Sequence, residues 1–195
     1  LINSATIIED KGMFDPDNSP DNKYDKFQPT CLTYSLLGYT HGPINAAQAL
    51  KVSCNYFFYE LGDRIKLSIM DNTGKMMGLG ESTGIELPES TGHRANAETK
   101  AELFEGEDGS WYQGDQILAA IGQSEHRFTP MQLCVYASTL ATQGDRYRAT
   151  FLNRIVSSDN RRLLKESPVE LMRHLDIYDE ADISYMQCMC MVTQQ

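Results

Sequence analysis

The chain has 195 residues, 41% hydrophobic and 23% charged, a composition that belongs to a folded globular protein and excludes a mainly disordered one. Its formal net charge of −10, with no run of Lys or Arg, argues against a nucleic-acid or anionic-membrane surface. No apolar run is long enough to span a bilayer. Five cysteines (Cys31, Cys54, Cys134, Cys188 and Cys190), odd in number and without CxxC or Cys/His spacing, argue against a disulfide framework and a zinc site, so neither metal nor cofactor is expected.

The opening "LINSATIIEDKG" has no basic region, no apolar leader core and no initiating Met, and reads as the start of an excised piece. Residues 13–30, rich in Asp, Asn and Pro, are predicted to be an exposed loop. A helix is expected from about Ile44, with Asn45 as its cap, through "AAQALKVS". Helical patterning resumes in "NYFFYELGDRI", where Asn55 is a candidate N-cap. Gly78 and Gly80 mark tight turns, and "GIELPE" reads as a short strand or extended segment ended by Pro88.

Residues 89–110 are polar and acidic with few apolar anchors and are expected to form a long loop. Thr129 to Thr142 carries a clear helix signal: Thr129 at the N-cap, Pro130 at the first helical position, and Met131, Leu133, Tyr136 and Leu140 at near-helical spacing. Cys134 falls on that helix as an apolar-face residue. Residues 147–157 read as a strand with a basic, polar face. "SPVELMRHLDI" and "DEADISYMQCMCMV" read as two further helices. The mixture is a helix-rich α+β domain.

The chemistry-bearing candidates are few. Ser53 and Asn55 bracket Cys54 in "KVSCNYFFYE". Residues two apart do not share a helical face, so the pair either caps the following helix or converges at a helix junction on one small space. His126, in "GQSEHRFTP", has no acid or nucleophile to pair with, and His41, His93 and His174 are scattered, so no Ser-His-Asp arrangement can be assembled. Trp111 is expected as a buried anchor. There is neither a P-loop nor a GxGxxG.

Taken in order, "HGPINAAQALKVSCNYFFYELGDRI", "MMGLGESTGIELPES", "WYQGDQILAAIGQSEHRFTPMQLCVYASTLATQGDRYRATFLNRIVSSD" and "MVTQQ" resemble the transpeptidase domain of class B penicillin-binding proteins. The resemblance implies the helix-rich part of a penicillin-binding-protein/serine β-lactamase-like fold. It also implies that Ser53 and Asn55 are the catalytic SxN pair, Ser53 shuttling protons and Asn55 holding the substrate backbone and the catalytic lysine. Phe57, Phe58 and Tyr59 would anchor the helix behind that pair, and Cys54 would point inward.

No SxxK and no KTG occurs among the 195 residues, so residues 1–195 are expected to be one partial domain, a central piece truncated at both ends, inactive alone and with exposed apolar edges. The implied ligands are the D-Ala-D-Ala stem peptide of peptidoglycan and β-lactams, with cell-wall synthesis partners, at the extracytoplasmic face of a bacterial cell membrane. A β-lactam sensor, a β-lactamase-related domain or a non-catalytic cell-wall scaffold are the alternatives. Ser124 stands where the family usually has glycine after "IGQ", which implies a differently shaped loop and a structural role for Gln123.

Overall fold

The computed structural model describes residues 3–15 and 28–176. They fall into two compact units, the first comprising the chain up to Met70 together with Ala95–Glu125, the second Asp71–Arg94 together with the residues from His126 on. None of the described helices is long and apolar enough to cross a membrane.

The first unit opens with an antiparallel pair, β1 (Ile8–Asp10) and β2 (Gly42–Ile44), in which Ile8 faces Ile44 and Asp10 faces Gly42. Strand alternation turns Ile8 and Asp10 to the same buried side, which commits a carboxylate to the interior. Around this pair lie α1 (Leu32–Leu37), α2 (Ala46–Lys51), α3 (Asn55–Arg64), α5 (Ala97–Leu103), a 3-10 turn (Gly106–Gly109) and α6 (Gln113–Ala119). Helix α4 (Leu67–Met76) carries the chain from this unit into the other.

The core of the first unit gathers Ile8, Phe14, Cys31, Ile44, Ala49, Cys54, Tyr56, Phe57, Tyr59 and Ile117. Phe14 meets Tyr56 edge-on, with ring centroids 5.9 Å apart. Phe14 lay in the stretch expected to be an exposed loop, yet it is 2% exposed; residues 16–27 of that stretch lie outside the described residues. One large aromatic is enough to pull an Asp/Pro-rich segment onto a core, because its burial stabilises by about 2–3 kcal/mol.

Helix α2 begins as expected, Asn45 and Gln48 forming a reciprocal capping box. Helix α3 then packs on α6, with Gly62 at the closest approach: a Cβ there would stand 2.5 Å from that of Ala120. Gln116 locks the same seam, its Nε2 donating to the Gly62 and Ile65 carbonyls at 2.7 Å each, which satisfies acceptors at the end of α3.

The loop expected over residues 89–110 instead contains α5 and the 3-10 turn. Asn96 caps α5 by accepting from the Thr99 N–H, and Lys100, 8% exposed, reaches Asp115 at 2.6 Å. A helix anchored by a buried ion pair lacks the apolar periodicity that marks helices in sequence.

In the second unit, Gly78 and Gly80 turn with φ of +91° and +69°, as expected. "GIELPE" forms no strand and bends at Glu86 and Leu87. Helix α7 (Pro130–Ala141) carries the expected start, a Thr129/Gln132 capping box with Pro at the first turn. Its buried face, however, is Gln132, Val135 and Thr139, while Leu133 is 49% exposed and Cys134 is exposed. Gln132 explains the choice: its Nε2 donates to the carbonyls of Glu81 and Thr91 at 2.7 Å each, and its Oε1 accepts from the Thr129 N–H at 3.0 Å. A side chain that satisfies three backbone groups is kept inside.

The rest of this unit consists of two antiparallel ladders, β3 (Asp145–Tyr147) with β6 (Leu171–His174), and β4 (Arg154–Val156) with β5 (Leu163–Glu166). The single strand expected over 147–157 is therefore split, and the helix expected from "SPVELMRHLDI" is corrected to strand β6. Its Leu, Met and Arg favour helix only by tenths of a kcal/mol, which pairing with β3 overrides. The helix expected from "DEADISYMQCMCMV" lies outside the described residues. Apolar side chains stay exposed on these ladders and on α1: Leu36 is 71%, Leu164 63% and Leu171 51% exposed.

Candidate functional site

The turn between α2 and α3 presents the Ser53-Cys54-Asn55 triplet. Its backbone bonds close tightly, the Ser53 N–H donating to the Leu50 carbonyl at 3.2 Å and the Cys54 N–H to the Ala49 carbonyl at 2.9 Å. Ser53 sits at φ +53°, in the left-handed region that a side chain enters at a cost of about 1–2 kcal/mol. The turn sends Cys54 inward, with no exposure, and leaves Ser53 outside.

Neither Ser53 nor Asn55 caps α3. The N-cap position is Cys54, which makes no side-chain capping bond, and Asn55 is the first helical residue. The expectation of an Asn55 cap is thus corrected. Instead Asn55 bonds the hydroxyl of Tyr59 one turn on, and burial raises the pKa of that hydroxyl. Ser53 and Asn55 line one pocket of about 240 Å³ together with Leu50, Phe58, Ala120 and Ile121. Phe58 walls this pocket, whereas Phe57 and Tyr59 point into the core behind it. A hydroxyl and a carboxamide on one apolar-backed concavity can hold a polar chain and pass a proton.

Behind the turn lies a second constellation. Asp10, Cys31, His41 and Cys54 bring one carboxylate oxygen, two sulfurs and one imidazole nitrogen within 4.8 Å of one another, and all but His41 are buried. The His41 Nδ1 lies 2.8 Å from Asp10 Oδ2 and 3.7 Å from Cys31 Sγ; the two sulfurs are 4.0 Å apart, and Cys54 Sγ is 3.4 Å from Asp10 Oδ2. Burial pushes the Asp10 carboxyl up, but the N–H groups of His41 and Gly12, the His41 ring and the Cys54 thiol outweigh it, so the acid stays below its ordinary pKa. Burial, with the Asp10 carboxylate and Cys31 beside it, pushes the Cys54 thiol up to about 12.

The donor set fits a cation. Tetrahedral zinc with Zn–S of about 2.3 Å and Zn–N of about 2.0 Å holds its ligands about 3.3–3.8 Å apart, close to the spacings here. Two sulfurs, one imidazole and one carboxylate select a zinc-type ion over magnesium or calcium, which prefer all-oxygen shells. Sequence spacing alone pointed to no metal, and the four donors meet only in the folded chain. That expectation rested on short-range Cys/His spacing, whereas these ligands come from β1, the start of α1, the segment before β2 and the start of α3. Only "HGPI" and "EDKG", each near a polar residue on a short strand, carried a trace of this in the sequence.

The other sequence candidates have surroundings of their own. His126 packs against Phe128, with ring centroids 5.1 Å apart. His174 pairs with Asp145 at 2.6 Å and is largely exposed. Trp111 is half-buried, and its Nε1 makes no hydrogen bond among the described residues. Ser124 adopts φ +64°, the left-handed backbone that glycine favours.

Comparison with known proteins sets this geometry in a lineage. Residues 3–174 match the model of the penicillin binding protein transpeptidase domain. Peptidoglycan D,D-transpeptidase MrdA of Acinetobacter baumannii is 30% identical over 145 residues, which is 74% of this chain and 20% of that protein. MrdA of Escherichia coli K12 is 31% identical over 105 residues, 53% of this chain and 16% of that protein. The chain therefore spans about a fifth of the length of these relatives.

In fold, Pseudomonas aeruginosa PBP2 in complex with WCK 5153 superimposes with a TM-score of 0.73 at 18% identity, covering 99% of this chain and 39% of that one. Helicobacter pylori PBP2 in its complex with MreC gives 0.70 at 21% identity, covering 96% of this chain and 30% of that one. With the family model running across both compact units, the chain belongs to the penicillin-binding protein transpeptidase domain family, in its class B branch.

Proposed function

We propose that this chain is the central part of a peptidoglycan D,D-transpeptidase, one partial domain in which Ser53 and Asn55 form one wall of the acyl-transfer pocket. The observation that carries the reading is that both side chains line one 240 Å³ pocket, separated by a cysteine buried beneath it. In acyl transfer from a D-Ala-D-Ala stem peptide, a nucleophilic serine attacks the amide, and the leaving nitrogen must receive a proton. The Ser53 hydroxyl can accept one proton while donating another, and Asn55 can hold the substrate backbone or a lysine. β-Lactams, which present a strained amide to the same pocket, acylate the same serine. The cell-wall and cell-shape role, the synthesis partners and the extracytoplasmic location follow from the same reading.

Because no SxxK serine lies within these 195 residues, the chain alone takes no label from a fluorescent penicillin. Extended on either side to carry SxxK and KTG elements, it is labelled, and Ser53→Ala slows acylation by about 100-fold or more. An unchanged acylation rate in that variant rejects the assignment.

We further propose that Asp10, Cys31, His41 and Cys54 hold one zinc-type ion. The ion would tie β1 and the starts of α1 and α3 together and clamp the turn bearing Ser53. Such an ion supplies a structural tie and no reaction step. Metal analysis of the purified chain tests it, the expected value being one equivalent.

A further inference from the structure

Two sulfurs in one metal shell differ from other donors, because they can also bond each other. We infer that Cys31 and Cys54 are a metal-guarded dithiol: with the cation bound they stay reduced, and once it is lost they close into a disulfide that moves the Ser53 turn. The inference rests on the metal reading above.

Three observations support it. The sulfurs are 4.0 Å apart and fully buried, so they are neighbours in the fold and shielded while it is closed. Closing a disulfide to about 2.05 Å needs an approach of about 2 Å. The lightly packed α1 side supplies that movement. Cys31 stands at the N-cap of α1, six residues with none buried, and Cys54 follows the left-handed Ser53. The neighbours of the pair, Asp10 and His41, bond each other at 2.8 Å, and Asp10 also accepts from the Gly12 and His41 N–H groups, so their strongest bonds are made away from the sulfurs. Losing the cation therefore leaves two buried thiols 4.0 Å apart, each with one long polar contact, Cys31 to His41 at 3.7 Å and Cys54 to Asp10 at 3.4 Å.

The chemistry balances with a small-molecule disulfide as oxidant. One cysteine thiolate attacks the disulfide, forms a mixed disulfide and expels one thiolate. The second cysteine attacks that mixed disulfide, forms the Cys31–Cys54 bond and expels the other. Two electrons pass from the cysteine pair to the oxidant, and the two cysteine protons end on the two released thiols. Because Cys54 sits between Ser53 and Asn55, drawing its sulfur toward α1 shifts the wall of the pocket.

The test uses the whole chain in a Cys134→Ser, Cys188→Ser, Cys190→Ser background, so that only the pair can react. Metal analysis comes first: less than one zinc per chain rejects the metal reading itself, and the inference with it. Given one zinc, the loaded and chelator-stripped chains are treated with oxidised glutathione, and thiols and linked peptides are counted. The stripped chain is expected to lose two thiols and yield a Cys31–Cys54 peptide. At free zinc about 100 times its Kd, the loss is about 100-fold slower. The oxidised chain binds no zinc, and reduction restores one equivalent. Cys31→Asp, which keeps a donor of the same charge, retains zinc and resists the oxidant.

Three results overturn the guard while leaving the metal site standing: equal oxidation rates with and without zinc, glutathione on both cysteines without a link between them, or full zinc binding by the oxidised chain. Recovery of zinc binding on reduction separates the switch from irreversible unfolding.

Discussion

Ser53 and Ser124 both hold left-handed backbone, and their reasons differ. At Ser53 the strain accompanies a hydroxyl exposed at a pocket, the pattern of strain retained at a site. Ser124 stands outside the Ser53 pocket and relieving its backbone costs that site nothing, so Ser124→Gly is expected to stabilise the chain by about 1 kcal/mol, seen as a higher midpoint in a thermal melt. An unchanged or lower midpoint would show that the Ser124 side chain contributes more than its backbone costs. The sequence comparison marked this position as a departure, and the structure gives the departure its physical content: serine occupies a conformation built for glycine.

Glu89 gathers a loop of the second unit through its carboxylate, accepting from Ser82, Thr83 and Gly84. Desolvation is the largest single influence and raises its pKa, but the hydroxyls of Ser82 and Thr83 and the N–H groups of Thr83 and Gly84 together outweigh it and bring the value down to about 2 from 4.5. A carboxyl with a depressed folded pKa contributes stability that is complete above the unfolded value of 4.5 and is lost as the pH falls toward 2. Glu89→Gln is therefore expected to lower the melting temperature near neutrality and to flatten its fall between pH 4.5 and 2, measured by melts across that range. A wild-type slope retained by the variant would assign the acid sensitivity elsewhere.

At the scale of elements, the seam of α3 and α6 places the pocket wall, since Ala120 and Ile121 reach the pocket from the end of α6. Gly62 permits that approach, and Gly62→Ala is expected to cost about 1–3 kcal/mol by overpacking against Ala120, read from urea midpoints. A neutral result would mean that α6 slides freely, and the pocket with it. Element starts were the legible part of this architecture. Asn45 and Thr129 announce α2 and α7, because a cap is satisfied by residues three positions away and is therefore written locally. Helix α5 and strand β6 were misjudged because their partners, Asp115 and β3, lie elsewhere in the chain.

At the scale of the molecule, the buried four-ligand cluster ties together pieces of the first unit that are 44 residues apart from Asp10 to Cys54. A chelator is expected to lower the melting temperature of the metal-loaded chain, and added zinc to restore it, because a cation that binds the folded state alone stabilises by mass action, by about 2.7 kcal/mol at 100 times its Kd. A melt indifferent to both would show that the four ligands hold by hydrogen bonds alone.

What the amino-acid order determined by itself was the family and the α+β character, and it singled out Ser53 and Asn55 as candidates, since ordered blocks, caps and a tripeptide are all short-range patterns. Tertiary structure alone decided the rest. It showed that the pair shares one pocket, that Gln132 and not the leucines faces inward on α7, and that two distant cysteines meet an aspartate and a histidine. Those outcomes turn on contacts between residues far apart in the chain, where the free energy of burial and hydrogen bonding outweighs local preference.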